Sequence, residues 1–168
     1  MTVSLKSCGF NYYDNSYKVL FGNWLMGFDF RFRALGSRRE LRELVNFMAA
    51  QDLGYPNYDE WVQKSESELD SGYKSAILAF SGREVVGDLV YQPHKKISSM
   101  LELKNLRVHP RLRNRDFARF MLRQAEAENS DYAAILCDTR AENAEIIDFL
   151  SSCGFSPLVS ASLYDKNA

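Results

Sequence analysis

Apolar and polar positions alternate strictly over residues 28–33, where Phe28, Phe30 and Phe32 interleave with Asp29, Arg31 and Arg33. A period of two marks a strand with one buried face. The period then changes. Ser37 and Glu40 form a capping box, and Leu41, Leu44, Val45 and Met48 follow at helical spacing. Asn57 and Glu60 repeat the capping pattern before a second helix with Tyr58, Trp61, Val62 and Leu69 on one stripe; Gly54 and Pro56 separate the two helices. Residues 76–80 and 85–91 read as a hairpin turning through Ser81-Gly82, and residues 92–96 as a solvated loop.

Residues 100–108 carry a phase slip. Leu101 and Leu103 occupy odd positions, Leu106 and Val108 even ones. A regular strand cannot keep both pairs on one face. One extra residue near Lys104-Asn105 restores the phase, which describes a β-bulge; the other reading ends the strand at the slip. A bulge bends the strand away from its neighbour and leaves backbone groups unpaired.

A basic loop follows, His109-Pro110-Arg111-Leu112-Arg113-Asn114-Arg115, and opens into a helix carrying Phe117, Phe120, Met121, Leu122 and Ala125, with Asn114 as the expected N-cap. Residues 132–137 read as a short buried strand. Thr139 and Glu142 form a capping box for a helix with Ile146, Ile147 and Leu150 on one face, ended at Gly154; residues 155–159 are a last strand. The first 25 residues are rich in aromatic side chains (Phe10, Tyr12, Tyr13, Tyr17, Phe21, Trp24) and too apolar for a disordered tail, so they are expected to pack on the domain. This order of elements predicts a mixed α/β sheet with helices on its faces.

Composition narrows the picture. The 168 residues are 46% apolar and 26% charged, which suits one domain with a sizeable core. Twenty-one Lys and Arg against 22 Asp and Glu leave a net charge of -1, so no global positive field draws the chain onto nucleic acid. No apolar run approaches the roughly 20 residues of a membrane span, and the N-terminus lacks the layout of a secretion signal. Cys8, Cys137 and Cys153, with His94 and His109, show no metal-ligand spacing, so no metal is expected. The expected setting is cytoplasmic.

The junction of kinked strand, basic loop and helix start is an anion site in outline. A helix's first turn presents N–H groups without intrahelical partners, and the helix dipole favours negative charge there. Arg111, Arg113, Arg115 and Arg119 surround that turn, and a diphosphate is the natural guest. The plainer reading of the same arginines is a solvated face.

Over residues 26–165 the chain resembles the GNAT acetyltransferase superfamily. Arg113-Asn114-Arg115-Asp116-Phe117-Ala118 stands where that family has its Arg/Gln-x-x-Gly-x-Gly/Ala loop, after Val108-His109-Pro110, and Asn143, Ile146, Phe149, Leu150, Cys153, Gly154 and Phe155 follow its second motif. The resemblance implies a mixed, mostly antiparallel central sheet of about six or seven strands with helices on both faces, splayed between the fourth and fifth core strands (residues 100–108 and 132–137), in a single acetyltransferase-like domain over residues 1–168. It implies acetyl-CoA as cosubstrate. Arg113, Asn114, Arg115, Asp116, Phe117, Ala118 and Arg119 would surround the pyrophosphate, and the backbone of Leu106, Arg107 and Val108 would bind the pantetheine arm. Asn143 would stand beside the thioester, with Phe149 also on the cofactor, and Glu102 would be the general base.

The activity so implied is acetyl transfer to a primary amine of a small molecule or peptide by direct attack. A tight cleft lined by Tyr55, Tyr58 and Trp61 would suit a small amine, and an open groove a peptide. Two other functions fit the same fold. One is a non-catalytic CoA-binding or interaction module; the other is an acyltransferase acting on charged tRNA, with Arg31, Arg33, Arg38, Arg39 and Arg42 as a second basic patch. A homodimer is left open. His109 and Cys153 read as structural, and Asp138 as a cap for the following helix in preference to a substrate contact.

The chain departs from the family pattern at identifiable places. Asp116 replaces the first loop glycine, and Leu150 stands where many members carry a tyrosine that protonates the leaving thiolate. The family usually continues into a seventh strand that slots between the fifth and sixth, and this sequence stops at residues 164–168, about where that strand would start. Either the slot stays empty, or the sequence is a shortened one, or another segment fills it, the N-terminal piece around Lys18-Val19-Leu20-Phe21 of the same or a partner chain being the candidate.

Overall fold

The computed structural model describes residues 2–5, 29–51 and 56–159. Ser37 caps as its position predicts: its side chain accepts from the Glu40 amide at 3.3 Å and starts α1 (Arg38–Ala49). Glu40 in turn accepts from the Gly36 amide and pairs with Arg33 of β2 (Phe30–Ala34), tying strand to helix. α2 (Tyr58–Asp70) lies beside α1, and the Tyr58 hydroxyl donates to the Met48 carbonyl at 2.9 Å. Leu41, Leu44, Met48, Val62 and Leu69 of these helices bury one face of the sheet against Ala76, Leu78, Phe80 and Val90.

The hairpin is β3 (Ser75–Ser81) and β4 (Glu84–Pro93), with Gly82 at φ 60 in its turn. β5 (Met100–Val108), β6 (Ala134–Asp138) and β7 (Phe155–Val159) follow, separated by α3 (Phe117–Glu128) and α4 (Ala144–Ser152). α3 and α4 cover the second face, where Met121, Leu122 and Leu150 meet Ile77, Ala79, Leu89, Leu101 and Leu103. The buried side of the alternating phenylalanines lands here too: Phe30 and Phe32 set their edges against Phe117 at 4.9 and 5.2 Å. Gly87 lets α3 lie close, since a Cβ there would stand 3.0 Å from the Arg107 carbonyl and 3.3 Å from Met121 Cε.

The seven strands run in the order β2-β3-β4-β5-β6-β1-β7. All neighbours are antiparallel except β5 and β6. The phase slip in β5 is a bulge. Tyr91 faces Leu103 and Val90 faces Asn105, so Lys104 has no counterpart on β4. The extra residue brings Leu101, Leu103, Leu106 and Val108 onto one core. β6 keeps register with β5 only from Met100 to Leu103, and beyond that point the two strands part.

Some local readings are corrected. The strand between β6 and β7 is β1 (Thr2–Leu5), not a segment near residues 18–21, which lie outside the described residues with the rest of 6–28. The slot asks for a short strand antiparallel to both neighbours, and Thr2–Leu5 meets it. Asn57, Asn114 and Asp116 all adopt φ 59; Asn57 makes no side-chain cap, and α3 starts after Asp116, not after Asn114. Asn and Asp enter the left-handed region more readily than other non-glycine residues, so the same residue types serve as turns and as caps. α4 is capped by Asn143, whose Oδ1 accepts from the Ile146 amide at 3.4 Å, while Thr139 to Glu142 precede it as loop. Gly154 ends α4 at φ 95, as expected.

Candidate functional site

Where β5 and β6 part, the sheet opens a fork that two clefts share. The first, about 450 Å³, is lined by Leu106, Arg107 and Val108 at the end of β5, by Arg113, Asn114, Asp116, Phe117 and Ala118 at the start of α3, and by Asn143 and Phe149 at α4. Ten of the residues expected around a cofactor are thus brought together, with Leu112, Glu145 and Ile146 added. Backbone N–H groups at the start of α3 have no helical partners, so the wall they form is electropositive.

Arg115 and Arg119 stand outside that lining. Arg115 is exposed. Arg119 donates to the Ser152 carbonyl and hydroxyl at 3.1 and 3.0 Å, lies over the Phe149 ring at 5.9 Å, and meets Asp116 Oδ1 at 3.3 Å. It ties the start of α3 to the end of α4 and draws the Asp116 carboxylate towards itself.

The second cleft, about 360 Å³, opens on the α1/α2 face. Pro56, Tyr58 and Trp61 form one wall, β5 from Leu103 to Arg107 another, and Cys137, Asp138, Thr139, Asn143, Ile146 and Leu150 the remainder. Tyr58 and Trp61 stack at 5.6 Å; Tyr55 lies outside the described residues. Leu106, Arg107, Asn143 and Ile146 border both clefts, so the two meet at the fork.

Glu102 lies on the α1/α2 face of β5, largely buried, where it pairs with Lys104 and accepts from Gln92 Nε2 at 3.2 Å. It lines neither cleft, but its partner Lys104 lines the second. Burial, reinforced by Asp88, pushes the Tyr58 hydroxyl up to about 12, and burial with Asp138 does the same to Cys137. Both stay protonated at neutral pH. Burial also raises the Cys153 thiol, which suits packing better than nucleophilic work. His109 Nδ1 accepts from the Arg111 amide at 3.3 Å and holds the turn Pro110–Leu112. Asp138 lines the second cleft and does not cap α4.

The second basic patch is largely neutralised: Arg31 pairs with Asp29, Arg33 with Glu40, Arg38 with Asp70 and Arg39 with Glu43. Among the described residues no cluster of His, Cys, Asp and Glu could hold a metal, and no helix is long and apolar enough to cross a membrane. Lys104, Cys137, Thr139 and Ile146 were not read from the sequence as site residues, because their meeting depends on the fork and not on spacing within any one segment.

A mixed sheet forked beside its parallel pair, with a helix N-terminus facing the fork, defines a class of α/β fold that admits an extended, anion-bearing ligand. The chain belongs to the acetyltransferase (GNAT) family, whose model matches residues 39–155. No curated protein sequence matches it significantly. Among solved structures it is similar to the aminoglycoside N-acetyltransferase AAC(6')-Iy in complex with CoA, with TM-score 0.69 and 18% identity over 87% of this chain and 100% of that one. It is also similar to the PaiA N-acetyltransferase of Thermoplasma acidophilum in complex with coenzyme A, at 0.63 and 15% over 80% and 94%. The ribosomal-protein-alanine N-acetyltransferase of Brucella melitensis follows, at 0.61 and 15% over 80% and 97%. Identities this low speak to a common fold.

Proposed function

We propose that this chain is an N-acetyltransferase that moves the acetyl group of acetyl-CoA to a primary amine of a small molecule or peptide by direct attack. The observation that carries the reading is the fork: the α3 cleft and the aromatic-walled cleft meet at Leu106, Arg107, Asn143 and Ile146. The first suits an anionic carrier, the second an acceptor.

In this reading Arg113 and the first-turn amides of α3 hold the pyrophosphate, with Asn114, Asp116, Phe117 and Ala118 shaping the cradle. Arg115 and Arg119 contribute more distant positive charge. The pantetheine arm runs along the backbone of Leu106, Arg107 and Val108, on the side that β6 leaves unpaired. Asn143 and Phe149 border its thioester end. The acceptor enters beside Tyr58 and Trp61 as an ammonium and must lose a proton before it can attack. Glu102 takes that proton through water, since its carboxylate lies behind Lys104 and outside the cleft lining. Attack on the thioester carbonyl forms the amide bond and breaks the carbon–sulfur bond. Leu150 offers no proton, so CoA leaves as a thiolate, and the second proton that the nitrogen sheds as the amide forms passes through water to the thiolate sulfur.

Pairing of Arg31, Arg33, Arg38 and Arg39 with carboxylates speaks against an RNA-borne acceptor. Calorimetric titration with acetyl-CoA and a free-thiol release assay over a panel of primary amines test the proposal together. Binding with amine-dependent thiol release is expected. Binding without turnover on any amine would reduce the protein to a CoA-binding module.

A further inference from the structure

β4 and β5 share a buried polar pair: Asp88, which lines neither cleft, and Asn105, which also borders the second. Asp88 is 0% exposed and Asn105 7%, and Asn105 Nδ2 donates to Asp88 Oδ2 at 2.7 Å. Asp88 lies opposite Leu78 on one side and Arg107 on the other, within the sheet face that α1 and α2 cover. Burial pushes its carboxyl up to about 7 even though Asn105 and Arg107 pull the other way. An apolar pair of similar shape would avoid that desolvation. The position of the bulge gives the polar pair a purpose.

The apolar pattern requires one extra residue between Leu103 and Leu106 but does not choose which. If Asn105 were the unpaired residue and Lys104 faced Val90, then Leu101, Leu103, Leu106 and Val108 would still share their core. Burial of leucines and valine is therefore indifferent between the two registers. The hydrogen bond is not indifferent, because it needs the Asn105 side chain on the Asp88 face, directly after the bulge. We propose that the Asp88–Asn105 hydrogen bond is the register lock that selects Lys104 as the bulged residue and so aims the Leu106–Val108 backbone into the fork.

Asp88 and Asn105 are thus positioning residues. They act through the course of β5, and a one-residue change in the bulge redirects the backbone just ahead of the stretch that borders both clefts. The lock itself is a property of the fold; its effect on ligand binding rests on the acetyl-CoA reading.

The test replaces both partners by D88L/N105L and compares them with the exchanged pair D88N/N105D, which keeps the hydrogen bond with donor and acceptor reversed. The leucine pair should hold or raise the melting temperature while weakening acetyl-CoA binding by about tenfold or more, as displacement of positioning atoms does. The exchanged pair should bind in the wild-type range. A leucine pair that binds like wild type, or an exchanged pair as weak as the leucine one, overturns the proposal. If the leucine pair fails to fold, N105A carries the same comparison. Cross-strand NOEs read the register without any ligand: wild type and the exchanged pair should show Val90 facing residue 105 alone, and the leucine pair or N105A should show Val90 facing Lys104 as well, the register no longer being single. If wild type does not bind acetyl-CoA, the acyl-transfer reading falls and the NOEs alone decide the lock; an unchanged Val90–residue 105 pairing in the leucine pair, or in N105A, rejects it.

Discussion

Arg113 and Arg119 flank the same helix start but face different partners. Arg119 is engaged by Ser152 and Asp116, whereas Arg113 lines the α3 cleft. A charge-assisted contact is worth roughly 2 kcal/mol, and tenfold in affinity follows from about 1.4. Arg113→Glu replaces attraction by repulsion, so calorimetry should find acetyl-CoA binding weakened by more than that one decade. Glu102→Gln tests a different step. If Glu102 takes the acceptor's proton, steady-state kinetics should show kcat falling by about 10² to 10³ with little change in KM for acetyl-CoA. A carboxylate that only steadied Lys104 would leave kcat in place. Asp88 makes a third prediction, in stability. Its folded carboxyl titrates at about 7 against an ordinary 3.8, so folding takes up a proton in that window. Stability therefore falls as pH rises from about 4 to about 7 and levels off above, by up to roughly 4 kcal/mol for a shift of this size. Asp88→Asn keeps the oxygen that accepts from Asn105 and lacks the titration. Its advantage over wild type in thermal melts should grow between pH 5 and 7 and then stay constant.

At the level of elements, legibility depended on how many structures a local pattern permits. The Phe28–Phe30–Phe32 alternation led to β2, and Ser37 with Glu40 led to α1, because each pattern had one sensible outcome. The slip at Lys104-Asn105 allowed either a bulge or a strand end, and the strand runs on through a bulge; apolar residues alone also left the bulged position undecided. Caps were harder. Asn57, Asn114 and Asp116 all sit in the left-handed region, which short polar side chains enter readily, and nothing local separates that use from capping. Gly87 carried a message that only packing reveals, the close approach of α3 to β4. Gly87→Ala should lower stability by about 1–3 kcal/mol in denaturant titration, as overpacking does. A neutral result would mean that α3 can yield without loss.

Across the whole molecule, the order of the core elements, the α3 cleft and the Tyr58–Trp61 wall of the second cleft could be read from the chain, but the rest of that cleft and β1 could not. Walls drawn from α2, β5, β6 and α4 meet only after the sheet has forked. β1 is four residues long, too short for periodicity to announce it, and its place is set by the ladder edges of β6 and β7. It has neighbours on both sides, so its N–H groups face one ladder or the other. Val3→Pro removes such a donor and should lower stability by roughly 1–3 kcal/mol in denaturant unfolding. An unaltered midpoint would deny β1 its interior place.

That strand also orders events in time. Thr2 meets Asp138 and Val159, partners from the far end of the chain. On the ribosome Thr2–Leu5 emerge before β6 and β7 and can dock only after both hosts have been synthesised. Closure of the sheet is therefore a late step, and until it occurs the flanking strands present open edges to any extended segment nearby.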